Sequence, residues 1–168
     1  MQSALEEKLT HSYKAGMIAF LKAHSEHFDE AIKLAISDHQ PYAWRAALLI
    51  WSCMDFDDRR IQKHIKDIVH SLKSKSDGHQ RELLKVLLQM NLDEKCSGSL
   101  FDMCVNVWEQ IDKAPSVRFT ALKFMIKVAK SHPNLSKEIV LLTQDRYLEP
   151  LSPSAKKSIS KMMNELIH

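Results

Sequence analysis

The sequence is short of the residues that break or cross-link a chain. Its 168 residues include only three Gly and five Pro, and almost no stretch alternates strictly between apolar and polar. Those scarcities exclude a turn-rich β-sandwich or barrel and argue for helices joined by short links. The three cysteines, Cys53, Cys96 and Cys104, are odd in number and widely spaced, with no C-x-x-C pair. A disulfide framework and a cysteine-built zinc site are thereby disfavoured, and the thiols are expected to pack as small hydrophobes. The longest apolar run, AALLIW at 46–51, falls far short of the ~20 residues that span a bilayer. Glu6 and Glu7 stand where a secretory signal would be basic, so a cytoplasmic location without membrane contact is expected.

Catalytic signatures are missing too. The chain contains no G-x-S-x-G, no P-loop, no G-x-G-x-x-G and no H-E-x-x-H. No cofactor is expected. Nine histidines invite a search for a metal site, and the densest group is His24-x-x-His27 with Glu26, Asp29 and Glu30. Its spacing matches no zinc pattern, and His64 and His70 diverge on one helix, so no metal is expected either.

What remains is the composition of a folded protein: 45% hydrophobic and 27% charged residues, enough for one domain over 1–168 with a real core. The net charge of +3 is unevenly spread. Residues 1–112 carry 14 Lys+Arg against 17 Asp+Glu, whereas residues 113–168 carry 10 against 4. A basic C-terminal third points to an anionic partner there.

Helix starts are legible from caps and prolines. Ser3 to about Ala23 reads as one long helix or two short ones, with Gly16 as the break. Ser25 or Asp29, Asp57, Asp77, Ser97 or Ser99, and Asn134 or Ser136 are candidate caps, while Pro41, Pro115 and Pro153 suit first turns. Beyond residues 3–23 the helices group in pairs, about 25–55, 57–91, 97–131 and 134–168. Within them an arginine recurs near the start of alternate helices: Arg45, then Arg81 and Arg118 at steps of 36 and 37 residues. Two helices per period of about 37 residues is the pattern of an α-solenoid.

Two stretches carry a family resemblance. Asp112-x-x-Pro115-x-Val117-Arg118-x-x-Ala121-Leu122 resembles the turn and second helix of a HEAT repeat, and Asp38-x-x-Pro41-x-x-Trp44-Arg45-Ala46-Ala47-x-Leu49 resembles it with one extra residue in the turn. The Arg81 unit has no proline, and the terminal units keep only a lysine. The chain as a whole resembles small bacterial HEAT-like proteins. The resemblance implies an all-α, right-handed α–α superhelix of stacked antiparallel helix pairs, HEAT/armadillo-like, whose second helices line the concave side.

Arg118 then needs an explanation. At 100° per residue it lies within about 40° of Leu122, Met125 and Ala129, in the apolar stripe of its helix. A buried charge must be paired. Asp112 is the expected partner, and Asp38 the expected partner of Arg45, so both pairs are read as structural clamps in preference to anion ligands.

The functional candidates lie elsewhere. Lys123, Lys127 and Lys130 cluster on one arc of their helix, and Lys157 and Lys161 on the same arc of the last helix, given the superhelix. The ordinary reading is a solvated face; the sharper one is an interface for a protein partner with acidic character, or for a nucleic-acid backbone. No arginine or interleaved aromatic joins that arc, which disfavours nucleic acid. A second candidate is an apolar groove of Ala47, Ile50, Trp51 and Met54, expected to be covered by the N-terminal helix in preference to lying open. The function expected is that of a non-catalytic scaffold or adaptor. The alternative is a nucleic-acid-binding protein resembling HEAT-like DNA alkylation-repair glycosylases, with Asp55 or Asp57 beside Trp51 and Tyr42 as its nearest candidate site.

Overall fold

Ser3 opens the first helix with a capping box. Its hydroxyl accepts from the Glu6 N–H at 3.1 Å, and the Glu6 carboxylate accepts the Ser3 N–H at 2.8 Å. The computed structural model describes all residues, 1–168, and holds helices and 3₁₀ turns with no strand. Contacts divide them into two units, Met1–Leu92 and Asp93–His168, where a single domain over 1–168 was expected.

The first unit contains α1 (Ala4–His11), α2 (Lys14–Ala23), α3 (Phe28–Ile36), α4 (Tyr42–Cys53), α5 (Arg59–Gln62), α6 (Ile65–Ser71) and α7 (Asp77–Leu88). The N-terminal segment is two helices, and the break falls at Ser12 and Tyr13, both extended, not at Gly16. Gly16 sits inside α2, where a Cβ would come within 3.3 Å of the Ser12 Cβ; it permits the two helices to turn closely. The first helix of the expected 57–91 pair is split into α5 and α6, and Asp58, not Asp57, caps it by accepting the Arg60 N–H at 3.0 Å. Asp57 instead takes φ 52° and receives the Asn91 N–H and Nδ2 on its carboxylate, tying it to the end of α7. Gln40–Pro41 is cis.

At the centre of this unit α4 packs against α3, α7, α2 and α1. Ala43, Ala46 and Ala47 follow i, i+3, i+4 spacing and, with Leu49 and Ile50, are at most 2% exposed. Small residues on that stripe let neighbouring helices approach closely. Truncating Leu49 to Ala would remove packing worth about 2–5 kcal/mol.

The second unit contains α8 (Glu94–Glu109), α9 (Pro115–Ser131), α10 (Ser136–Leu142), α11 (Asp145–Leu148) and α12 (Pro153–Ile167). Here α8 begins earlier than Ser97, because Asp93 accepts the Cys96 N–H at 2.7 Å and caps it. Pro115 opens α9 and Ser152-Pro153 opens α12, as their sequence signals require. The core helix is α9, packed on α8, α10 and α12 and burying Val117, Leu122, Phe124, Met125 and Ile126.

Candidate functional site

Arg118 is completely buried, and no carboxylate meets it. Its Nε donates to the Trp108 carbonyl at 2.9 Å and its Nη2 to the Tyr147 carbonyl at 2.7 Å, with the guanidinium 4.5 Å from the Trp108 ring centroid. Those two carbonyls stand in the last turns of α8 and α11, where no intrahelical donor remains. The expected Asp112 clamp is therefore absent: Asp112 is exposed on the α8–α9 link. The physical reason is that helix C-termini offer orphan acceptors and the negative end of a dipole, so a buried cation is served without desolvating a carboxylate. Burial lowers the Arg118 pKa from its ordinary value.

The Asp38–Arg45 clamp is corrected in the same way. Arg45 donates from Nη1 to the Leu9 carbonyl at 2.6 Å, in the last turn of α1. Asp38 accepts instead from Lys75 Nζ at 2.5 Å, and the same ammonium donates to the Ser37 carbonyl, the C-cap of α3, at 2.7 Å. Lys75, whose side chain is 3% exposed, was not anticipated; it lies 37 residues after Asp38, one repeat on.

The lysines occupy solvent-facing positions on two helices that pack together, α9 and α12. Lys123 and Lys130 are exposed and Lys127 half-buried along α9, whose other sides are core. Lys123 Nζ rests 4.8 Å from the Phe119 ring centroid. Lys157 and Lys161 are exposed on α12, across the helix from buried Ile159 and Met163. In the sequence of these two helices only Glu165 is acidic.

The apolar groove is closed. Ala47, Ile50 and Met54 are 0%, 2% and 8% exposed, covered by the helices packed around α4. Only Trp51 keeps an exposed part. Its Nε1–H donates to the Glu82 carboxylate, and Lys14 and Lys85 place their ammonium groups 4.9 and 4.4 Å from its ring centroid. Glu82 is 1% exposed and also accepts from Arg81 Nε at 2.8 Å. Sequence reasoning missed this carboxylate, although its spacing from His79 and Val86 puts it on the buried face of α7.

Helix pairs, an arginine recurring at the start of alternate helices, and small residues along a central helix are repeat features, and a family model described as the HEAT repeat domain matches residues 1–166. The chain belongs to the HEAT repeat domain family. No curated protein and no solved structure matches it.

The His24–Glu30 group of this HEAT chain is paired within itself and with neighbouring helices. His24 meets Glu26 at 3.3 Å and His27 meets Glu30 at 2.9 Å, while Asp29 is shared by Lys33, Lys63 and His64, which hold its carboxyl well below the usual range. No three His, Cys, Asp or Glu side chains come together as a metal site. Of the glycosylase-like candidates, Asp55 is exposed, Asp57 is engaged by Asn91, and the Tyr42 hydroxyl accepts from Gln2 at 3.1 Å. One open cavity of about 450 Å³ lies in the first unit, lined by Asp38, Gln40, Pro41, Trp44, Lys75 and His79 with Ser74 and Ser76. Inside it His79 is 1% exposed and has both ring nitrogens satisfied: one bonds the Ala35 carbonyl at 2.7 Å, the other the Gln40 amide at 3.2 Å. An acceptor on one side and a donor on the other fix a neutral imidazole with the proton on Nε2.

Proposed function

We propose that this protein is a non-catalytic cytoplasmic scaffold or adaptor, its helix pairs stacked as a right-handed superhelix, which binds an acidic segment of a protein partner along the lysine face of α9 and α12. The observation that carries the reading is the concentration of Lys123, Lys127, Lys130, Lys157 and Lys161 on solvent-facing sides of two packed helices with Glu165 as their one carboxylate. HEAT repeats generally mediate protein–protein contacts, and a field of one sign speeds encounter and selects the partner more than it holds it. The test is fluorescence anisotropy with a labelled glutamate-rich peptide, beside capture of partners from lysate. Changing Lys123, Lys127 and Lys161 to Glu is expected to abolish peptide binding and alter the captured set; identical binding by the variant sinks the reading.

A second reading, nucleic-acid binding of the alkylation-repair kind, is favoured by one feature, the two ammonium groups over the half-exposed Trp51 indole. It requires duplex DNA to bind at low salt with a steep salt dependence. Absence of binding at low salt removes it.

A further inference from the structure

The cavity beside Trp44 combines features that the lysine face lacks. One wall is apolar: Trp44, a large hydrophobic left 38% exposed, stands with Pro41 at the start of α4. The floor holds a buried cation. Lys75 Nζ has three donors, and two are used, on the Ser37 carbonyl and on Asp38 Oδ1. The far side is the start of α7, where Ser76 caps a twelve-residue helix without a side-chain bond, so its hydroxyl is not spent on the cap.

The carboxylate now on Lys75 is the informative part. Asp38 is 83% exposed while its partner is 3% exposed. A buried ammonium is thus met from outside, by an acidic side chain carried on the α3–α4 link. The outer side of that carboxylate is open to solvent, whereas the desolvated ammonium favours an anionic partner, so exchanging one carboxylate for another keeps the charge compensated. A second carboxylate entering over Trp44 can take the third donor or replace Asp38.

We infer that this cavity receives an aspartate or glutamate side chain of a partner protein, with the partner's adjoining apolar residue packed on Trp44 and Pro41, and that Asp38 occupies the ammonium in the unliganded protein. This inference rests on the reading of the chain as a protein-binding module. It names a contact in the first helical unit, separate from the lysines of the second.

The test uses the full chain labelled with ¹⁵N and two blocked peptides, acetyl-Leu-Asp-Leu-amide and acetyl-Leu-Asn-Leu-amide. The Asp peptide is expected to shift the Trp44 indole N–H and the amides of Lys75, Ser76 and His79 in a saturable way, and the Asn peptide is not. Asp38→Asn removes a like charge from the site and should tighten the Asp peptide by about fivefold or more. Trp44→Ala should weaken it by a similar factor, and Lys75→Met should abolish the response. Lys75 also bonds Ser37, so the folding of Lys75→Met is checked by circular dichroism; if it unfolds, Asp38→Asn and Trp44→Ala decide the matter. Equal responses to the two peptides, or unchanged affinity in Asp38→Asn, overturn the inference. The triple glutamate variant of Lys123, Lys127 and Lys161 should keep the Trp44 response. A Trp44 response without any glutamate-peptide binding on the lysine face overturns the earlier reading alone, and the converse overturns this one alone.

Discussion

Arg118 and Trp108 form a reciprocal cap: the guanidinium lies over the indole and donates to the carbonyl of the same tryptophan, while the indole N–H donates to the Leu142 carbonyl at 2.6 Å. With the Tyr147 bond, two side chains supply a donor to one carbonyl in the last turn of each of α8, α10 and α11. Arg45 on Leu9, Lys75 on Ser37 and His79 on Ala35 do the same for α1 and α3. Four buried polar side chains, Lys75, His79, Gln80 and Arg118, thus donate to carbonyls at helix C-termini.

That arrangement predicts unequal effects for the two residues once expected to be partners. Arg118→Met leaves the Trp108 and Tyr147 carbonyls without donors and should lower stability by about 2–4 kcal/mol. Arg118→Lys should recover only part of this, because one ammonium cannot reproduce the fork that reaches both carbonyls. Asp112→Asn should change stability by less than about 0.5 kcal/mol. Urea midpoints of the three variants are the check, and a large loss in Asp112→Asn would restore the clamp.

Asp58 predicts a pH dependence. Its carboxylate is 5% exposed, caps α5 and receives Nε and Nη2 of Arg60 at 3.0 and 2.7 Å, which holds its pKa down at about 2. A depressed carboxyl adds stability that is fully present above its unfolded pKa near 4 and is lost as pH falls through 2. With Arg60 42% exposed and partly screened, the contribution is about 1–2 kcal/mol. Asp58→Asn should therefore be less stable than the parent at pH 7, and the gap should close between pH 4 and pH 2. Paired denaturation curves across that range test it; a constant gap would show that the cap hydrogen bonds, not the charge, carry the effect.

His79 predicts a second window, higher in pH. Burial lowers its pKa below the ordinary histidine value, so the unfolded chain takes a proton before the folded one does. Stability is present above pH 6.5 and declines as pH falls toward the lowered folded value. His79→Gln keeps a donor for the Ala35 carbonyl without titrating. It should cost about 1–2 kcal/mol at pH 7.5 and less at pH 5.5. The measurement is the difference in Tm between parent and variant at the two values, and a difference that grows on acidification would refute the neutral tautomer.

How much of this was legible depended on where the partner of each residue lies. Caps and first-turn prolines are local, so the starts of α9 and α12 could be read from Pro115 and from Ser152-Pro153. The repeat itself was visible because Arg45 and Arg118 recur in register, and the HEAT match bears that out. Their partners were misread because backbone carbonyls have no sequence signature; Leu9 lies 36 residues from Arg45 and Tyr147 lies 29 from Arg118. Asp112 was the nearest acid in sequence, and sequence proximity is a poor guide to what meets a buried guanidinium. The lysine face was legible as a pattern of spacing, since exposure on a helix follows its period. Glu82 was not, because its partner Trp51 belongs to another helix.

The Trp51–Glu82 contact supplies the last prediction. Glu82 is nearly fully buried on α7, and its two oxygens are met by Arg81 and by the Trp51 indole N–H. Trp51→Phe keeps most of the ring packed between α4 and α7 but removes that donor. A buried carboxylate that loses one of its hydrogen bonds costs about 1–3 kcal/mol. Glu82→Leu removes the acceptor as well, so the indole change should cost much less in that background. In a double-mutant cycle the coupling between Trp51→Phe and Glu82→Leu is expected at about 1–2 kcal/mol. Additive effects would mean that Trp51 contributes by packing alone and that its N–H does not hold Glu82 in the folded protein.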